Sequence, residues 1–185
     1  SPIGLIFGGN ASGKSCFVSA LKFVQEYILY GEKVLTTHKS FLLSDETSNK
    51  PSSFTIQILV DELIYEYSFS VDGKKVYSEE LKEINSKSEY ALFSRNEERI
   101  IVDQENRVKG KEKNLLKYNA IGTRENRLFL TNTIDQKITT WQNVYDWFRV
   151  NLLIIHPDTS LNPSVFVDQP DLTKICADEL GYLDT

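Results

Sequence analysis

The sequence predicts an α/β fold in which a mostly parallel core is joined to an antiparallel β subdomain. Three observations predict it. A short apolar run at residues 3–7 passes through a glycine-rich loop into an amphipathic helix, apolar and polar residues alternate across residues 54–103, and helical spacing returns after Arg127. The first pattern belongs to strand–loop–helix units, and the second to strands with one face in water.

Each element follows in chain order. Residues 3–7 are bounded by Pro2 and Gly8 and read as a buried strand. From Lys14 to Tyr30 the apolar residues Phe17, Leu21, Val24 and Ile28 recur at helical spacing, and Gly31 stands where a left-handed C-terminal cap is expected. Residues 32–53 are polar and read as a long loop. Phe54, Ile56, Ile58 and Val60 then mark one strand face, and Tyr65, Tyr67, Phe69 and Val71 mark the next, with a turn near Asp61 and Glu62. Asp72-Gly73 predicts a hairpin turn into residues 75–81. A further pair, residues 90–95 and 99–103, flanks the turn Asn96-Glu97-Glu98, for about four or five strands in all. A polar stretch reaches Arg127, after which Ile138, Trp141, Val144, Tyr145 and Phe148 are spaced for one buried helix face. Residues 152–155 read as a strand ended by His156-Pro157, and Pro170 as the start of a helix facing Leu172, Ile175, Cys176 and Leu180 inward. The organisation expected is one lobe with three parts: residues 1–31, the antiparallel subdomain at 54–103, and a mixed helical and strand region at 104–185.

Composition narrows the function. A chain of 185 residues, 41% apolar and 11% aromatic, can bury one substantial core with a smaller attachment. Its net charge of −5 and isoelectric point near 5.2 argue against gripping nucleic acid by bulk electrostatics, which needs clustered Lys and Arg. The nearest basic run, Arg107, Lys109, Lys111, Lys113 and Lys117, is interrupted by Glu105 and Glu112, and Gly110 marks it as a solvated loop. No apolar stretch is long enough to cross a bilayer and no basic, then apolar, leader opens the chain, so a cytoplasmic protein without a membrane partner is expected. Cys16 and Cys176 lie far apart without metal-ligand spacing and read as small buried hydrophobes. The sequence contains no methionine, from which a fragment or an incomplete chain is expected.

Chemistry is concentrated in one motif. Gly8-Gly9-Asn10-Ala11-Ser12-Gly13-Lys14-Ser15 matches G-x-x-x-x-G-K-[ST] in full, between a predicted strand and a predicted helix. Glycines let the backbone wrap phosphate oxygens closely, and the amides form an anion-binding nest at a helix N-terminus. Lys14 is expected on the β- and γ-phosphates of ATP, with the Ser15 hydroxyl on Mg²⁺. The expected cofactor-binding set is Gly8, Gly9, Asn10, Ala11, Ser12, Gly13, Lys14, Ser15 and Cys16.

The inner run Asn10-Ala11-Ser12 within that loop resembles the phosphate loop of ABC-type ATPases of the SMC/RecF-like kind, bacterial members of which are often labelled AAA-family ATPases. The segments Tyr65-Glu66-Tyr67-Ser68-Phe69, Asp72-Gly73-Lys74 and Ser78-Glu79-Glu80-Leu81 look like strands of the antiparallel subdomain of that group. The resemblance implies a P-loop NTPase core, lobe I of such an ATPase with an inserted antiparallel β subdomain. It also implies a homodimer that sandwiches ATP in the full-length protein, and a DNA or nuclease partner reached through regions outside this chain. It requires a signature loop and a Walker B strand ending in Asp and a catalytic Glu. Neither is found: Asp61-Glu62 follows an apolar run but reads as a hairpin turn, and at Val165-Phe166-Val167-Asp168 Gln169 replaces the acid. These residues are thus expected to bind ATP without completing the hydrolytic site. The expected catalytic set is Lys14 and Gln136, the latter as the candidate for the Q-loop glutamine the resemblance calls for, weighed against a plain surface glutamine. His156 reads as a strand-end residue and His38 as a loop residue. Two alternatives remain beside the ATPase: a nucleotide-sensing interaction module without turnover, and another P-loop enzyme, a kinase or GTPase. The GTPase lacks its guanine-reading run, since Asn49-Lys50-Pro51-Ser52 has no acid.

Overall fold

The computed structural model describes residues 7, 9, 13–37, 50–102, 108 and 110–154. The chain divides into two compact units, Ser1–Leu153 and Ile154–Thr185, and the elements below belong to the first. In order they are α1 (Lys14–Tyr30), α2 (Lys33–Thr37), β1 (Ser52–Val60), β2 (Leu63–Val71), β3 (Val76–Asn85), β4 (Ser88–Asn96), β5 (Arg99–Val102), α3 (Gly110–Gly122), α4 (Phe129–Asp135), α5 (Gln142–Asp146) and a π-helical turn (Trp147–Asn151).

The strands form one five-stranded meander in the order β1-β2-β3-β4-β5, every pair antiparallel. Alternation decides its two faces. Register aligns Phe54, Phe69, Glu79, Arg95 and Ile100 in one row, and Ile56, Tyr67, Leu81, Phe93 and Val102 in the next. These rows carry the buried face. The opposite face is polar, with Lys82 Nζ 3.1 Å from Glu80 and 3.8 Å from Glu66, which in turn accepts from Gln57 at 2.8 Å. A sheet so patterned buries one side against helices and leaves the other in water.

Aromatic rings make the contact between layers. Phe23 and Tyr27 of α1 stack with centroids 5.7 Å apart, Phe23 meets Phe54 at 5.4 Å, and Tyr27 meets Phe69 at 5.8 Å. Further along the sheet Phe93, Phe129 and Trp141 pack mutually at 4.9 to 5.8 Å. Such pairs add roughly 0.5–1.5 kcal/mol each beyond the area they bury.

Several expectations are corrected. The sheet of the described residues is wholly antiparallel; the strand expected at residues 3–7 lies outside them except for Phe7. Helix α1 has the predicted bounds, yet its buried residues are Phe23, Val24, Tyr27 and Ile28, and Phe17 is 52% exposed. Cys16, expected inside, is exposed. The stretch read as a solvated loop around Gly110 is helix α3, entered through Gly110 itself in a left-handed conformation (φ +64°). Within the polar stretch at residues 32–53, Lys33–Thr37 form a short helix. The strand expected from Leu152 is absent from the described residues: 152–154 follow the π-helical turn and belong to no strand. Residues 155–185, with Cys176, His156, Asp168 and the helix expected from Pro170, lie outside the described residues, as does His38.

Candidate functional site: the phosphate-loop end of α1

Of the predicted loop, Gly9, Gly13, Lys14 and Ser15 are described, together with Cys16; Gly8, Asn10, Ala11 and Ser12 are not. Gly13 is the N-cap of α1 and adopts φ 90°, ψ 1°. A side chain there meets no atom within 4 Å, so the requirement for glycine is conformational. The Gly13 carbonyl accepts from Phe17 N at 3.0 Å, which starts the helix directly behind the loop.

Lys14 folds back over that loop: its Nζ donates to the Gly9 carbonyl at 2.8 Å. Ser15 and Cys16 are exposed on the first turn.

Helix ends ordinarily attract stabilising partners. Amides of a first turn have no intrahelical acceptor, and acids or a Ser, Thr, Asp or Asn cap satisfy them and the positive end of the dipole. The start of α1 has no acid in its first turn and no side-chain cap, and it carries a lysine. A helix start of this composition suits an anion.

The remaining predicted residues are dispersed. Gln136 caps the C-terminus of α4, its N–H donating to Asn132 O at 3.1 Å, and its side chain is exposed. Asp61 and Glu62 form the exposed two-residue turn of the β1–β2 hairpin, both with positive φ (50° and 65°). No group of three or more potential metal-ligating side chains occurs among the described residues. No helix among them is long and apolar enough to cross a membrane.

The fold also reveals residues that motif reading passed over. Glu79 is completely buried; its carboxylate accepts from Tyr67 OH at 2.8 Å and from the Phe129 and Leu130 amides at 2.6 and 3.0 Å, where α4 begins. Burial pushes its carboxyl above the usual range, against the pull of the two amides, Tyr67 and Arg95. Beside it in the sheet, buried Arg95 donates to the carbonyls of Glu97, Arg124, Glu125 and Arg127 at 2.7 to 3.3 Å. Arg127 in turn bonds Glu32 and Asp135, and Glu32 is held below the usual carboxylate range by its own backbone hydrogen bond and by Arg127, which together outweigh its desolvation. On α1, Gln25 Nε2 donates to the carbonyls of Phe148 and Leu152 at 2.8 and 2.6 Å. Strand parity was the available signal for Glu79 and Arg95, which share a face with Leu81 and Phe93.

Comparison with known proteins gives one family. Residues 5–164 match the family described as "AAA domain, putative AbiEii toxin, Type IV TA system". No curated protein and no solved structure matches the chain. The matched span contains the loop, all five strands and all the described helices, and a domain of this type is a P-loop, ATPase-type nucleotide-binding domain. The chain belongs to this family of AAA domains.

Proposed function

We propose that residues 8–15 bind the triphosphate of ATP, with Lys14 on the β- and γ-phosphates and Ser15 on Mg²⁺, in the first lobe of an ABC-type, SMC/RecF-like ATPase. One observation carries the reading: a glycine in the left-handed region starts an uncapped, acid-free helix, and the lysine beside it reaches back 2.8 Å to the loop carbonyl of Gly9. First-turn amide dipoles and an ammonium together attract an anion in that position. Cys16 would add its first-turn amide to the same set.

Hydrolysis requires more than this. Phosphoryl transfer depends on metal, an oriented water and charge clamps acting together. In this reading the signature loop and the Walker B acids come from regions outside this chain, and two full-length copies close around ATP. The motion then drives a DNA-related or defence-related effector such as a nuclease. A second reading, a nucleotide-sensing module without turnover, draws support from Asp61 and Glu62, the Asp-Glu pair of the described residues that follows an apolar run, being an exposed turn.

Calorimetry of the full-length protein with Mg²⁺ and ATP tests the proposal. Binding is expected, and Lys14→Ala is expected to weaken it about 100-fold, or roughly 2.7 kcal/mol, as loss of charge-assisted contacts to two phosphates implies. Equal affinity in the two proteins overturns it. Steady-state turnover that disappears with Lys14→Ala selects the ATPase over the sensing module.

A further inference from the structure

Among the described residues, the buried side chains of helix α1 lie in its second half. Thr131 Oγ1 donates to Ile28 O at 2.8 Å and Tyr27 OH to Asn126 O at 2.8 Å, and every buried residue of the helix lies at Phe23 or beyond. Gln25 adds a contact of another kind, because its two acceptors belong to a turn whose hydrogen bonding is irregular.

In an α-helix Leu152 N would donate to Phe148 O, four residues back. Here it donates to Trp147 O at 3.1 Å, five residues back, which is the π pattern. That shift releases the Phe148 carbonyl, and Gln25 takes it at 2.8 Å. The second amide hydrogen of Gln25 goes to Leu152 O at 2.6 Å, on the residue that ends the turn. The ring of Phe148 is fully buried, 6.1 Å from Tyr67, so the turn cannot slide without unseating it. In α register Leu152 N would return to Phe148 O and share that acceptor with Gln25. The Gln25 amide, bound to the Phe148 and Leu152 carbonyls together, matches the π register.

We propose that Gln25 is a positioning residue that couples the phosphate end of α1 to the register of the Trp147–Asn151 turn, nucleotide binding and the π register each stabilising the other. This rests on the nucleotide reading above. Gln25 stands eleven residues along α1 from Lys14, about 16 Å at the rise of an α-helix. A helix moves as a rod over that distance, so the position of Lys14 and the register read by Gln25 are not independent. Linkage makes the effect reciprocal: whatever favours the π register must favour nucleotide, by the same factor.

The test is amide hydrogen exchange of the full-length protein with and without a non-hydrolysable ATP analogue and Mg²⁺, beside calorimetric affinities. In the unmodified protein, saturating nucleotide is expected to slow exchange across residues 148–153 about fivefold, the lower end of common coupling factors. Gln25→Leu, which removes both donors, is expected to abolish that slowing and to weaken affinity by about the same fivefold factor. Gln25→Lys returns donors to the site and is expected to restore both in part. Nucleotide that binds and slows exchange at residues 14–20 while leaving 148–153 unchanged overturns the coupling, as does Gln25→Leu with affinity and slowing intact. The first of these outcomes needs no variant to fold. Failure of the unmodified protein to take up nucleotide overturns instead the reading on which the coupling rests.

Discussion

The two halves of α1 live in different environments. From Phe23 onward the helix meets the meander through the rings of Phe23 and Tyr27 against Phe54 and Phe69, and it is tied by hydrogen bonds to Asn126, to Thr131 of α4 and to the Trp147–Asn151 turn through Gln25. Before it, Gly13, Ser15, Cys16 and Phe17 are exposed. The well-packed half supplies stability, and the sparsely packed half presents chemistry on a fixed base. Sites of function commonly forgo local stabilisation in this way, so substitutions in the two halves, Gln25 excepted, should separate stability from binding.

The largest effect is expected on the packed side. Glu79→Ala leaves the Phe129 and Leu130 amides and the Tyr67 hydroxyl without their shared buried acceptor, and Arg95 without a neighbouring opposite charge. A cost of about 3–5 kcal/mol, measured by urea unfolding, is expected from breaking a buried charged network on one side. Lys14→Ala, by contrast, should move that midpoint within the roughly 0.5 kcal/mol typical of surface sites while abolishing tight nucleotide binding. Equal destabilisation by the two would erase the distinction.

A pH series sharpens it. The Glu79 carboxyl has a folded-state pKa raised above its ordinary 4.5, so the folded protein holds that proton more tightly than the unfolded chain. Stability from this group is therefore present below pH 4.5 and declines as pH rises through the window above it. Asp72 and Glu32, both lowered, act oppositely and lose stability as pH falls through the range below their ordinary 3.8 and 4.5. Unfolding of Glu79→Gln from pH 4 upward should lack the decline that the unmodified protein shows, although the amide donates where Phe129 N needs an acceptor and lowers the whole curve.

Smaller effects mark the borders. Gly31 ends α1 at φ 67°, ψ −144°, and a Cβ there would stand 2.9 Å from the Arg127 guanidinium. Gly31→Ala should cost roughly 1–3 kcal/mol, chiefly backbone strain because an arginine tip can shift. At the β1–β2 turn, replacing Asp61-Glu62 with Asn-Gly suits two positive φ values and should raise the midpoint of thermal unfolding slightly, the relief of backbone strain outweighing the added flexibility of glycine in the unfolded chain. Nucleotide binding should be unaffected there, which would confirm that this acidic pair is a turn and not part of the site.

These contrasts follow what the sequence makes legible. The bounds of α1 were readable because glycine stands at both ends, and the strands because alternation of period two survives in a sheet with one wet face. Helix α3 was hidden because its apolar residues point both ways: Leu116 is buried, whereas Leu115, Tyr118 and Ile121 are exposed, so no single stripe emerges. Phe17 was misassigned by spacing alone, since periodicity locates a stripe but not how far along the helix the neighbouring layer extends. For the candidate site, the motif named Lys14 and Ser15, yet the backward reach of Lys14 to Gly9 depends on loop geometry. The π-helical turn had no local signature, because its irregular register is matched by Gln25, more than a hundred residues away in the chain.

The fan of carbonyls around Arg95 has a consequence for proteolysis. Arg124 and Arg127 are trypsin sites by sequence, and the carbonyl each would offer for attack is already engaged by the Arg95 guanidinium, at 3.3 and 2.7 Å. A protease needs that carbonyl to turn outward into its own oxyanion pocket. In the native protein, cutting after either arginine must therefore wait for Arg95 to withdraw, and survival of this connection under limited digestion reports on whether the sheet beneath it is intact.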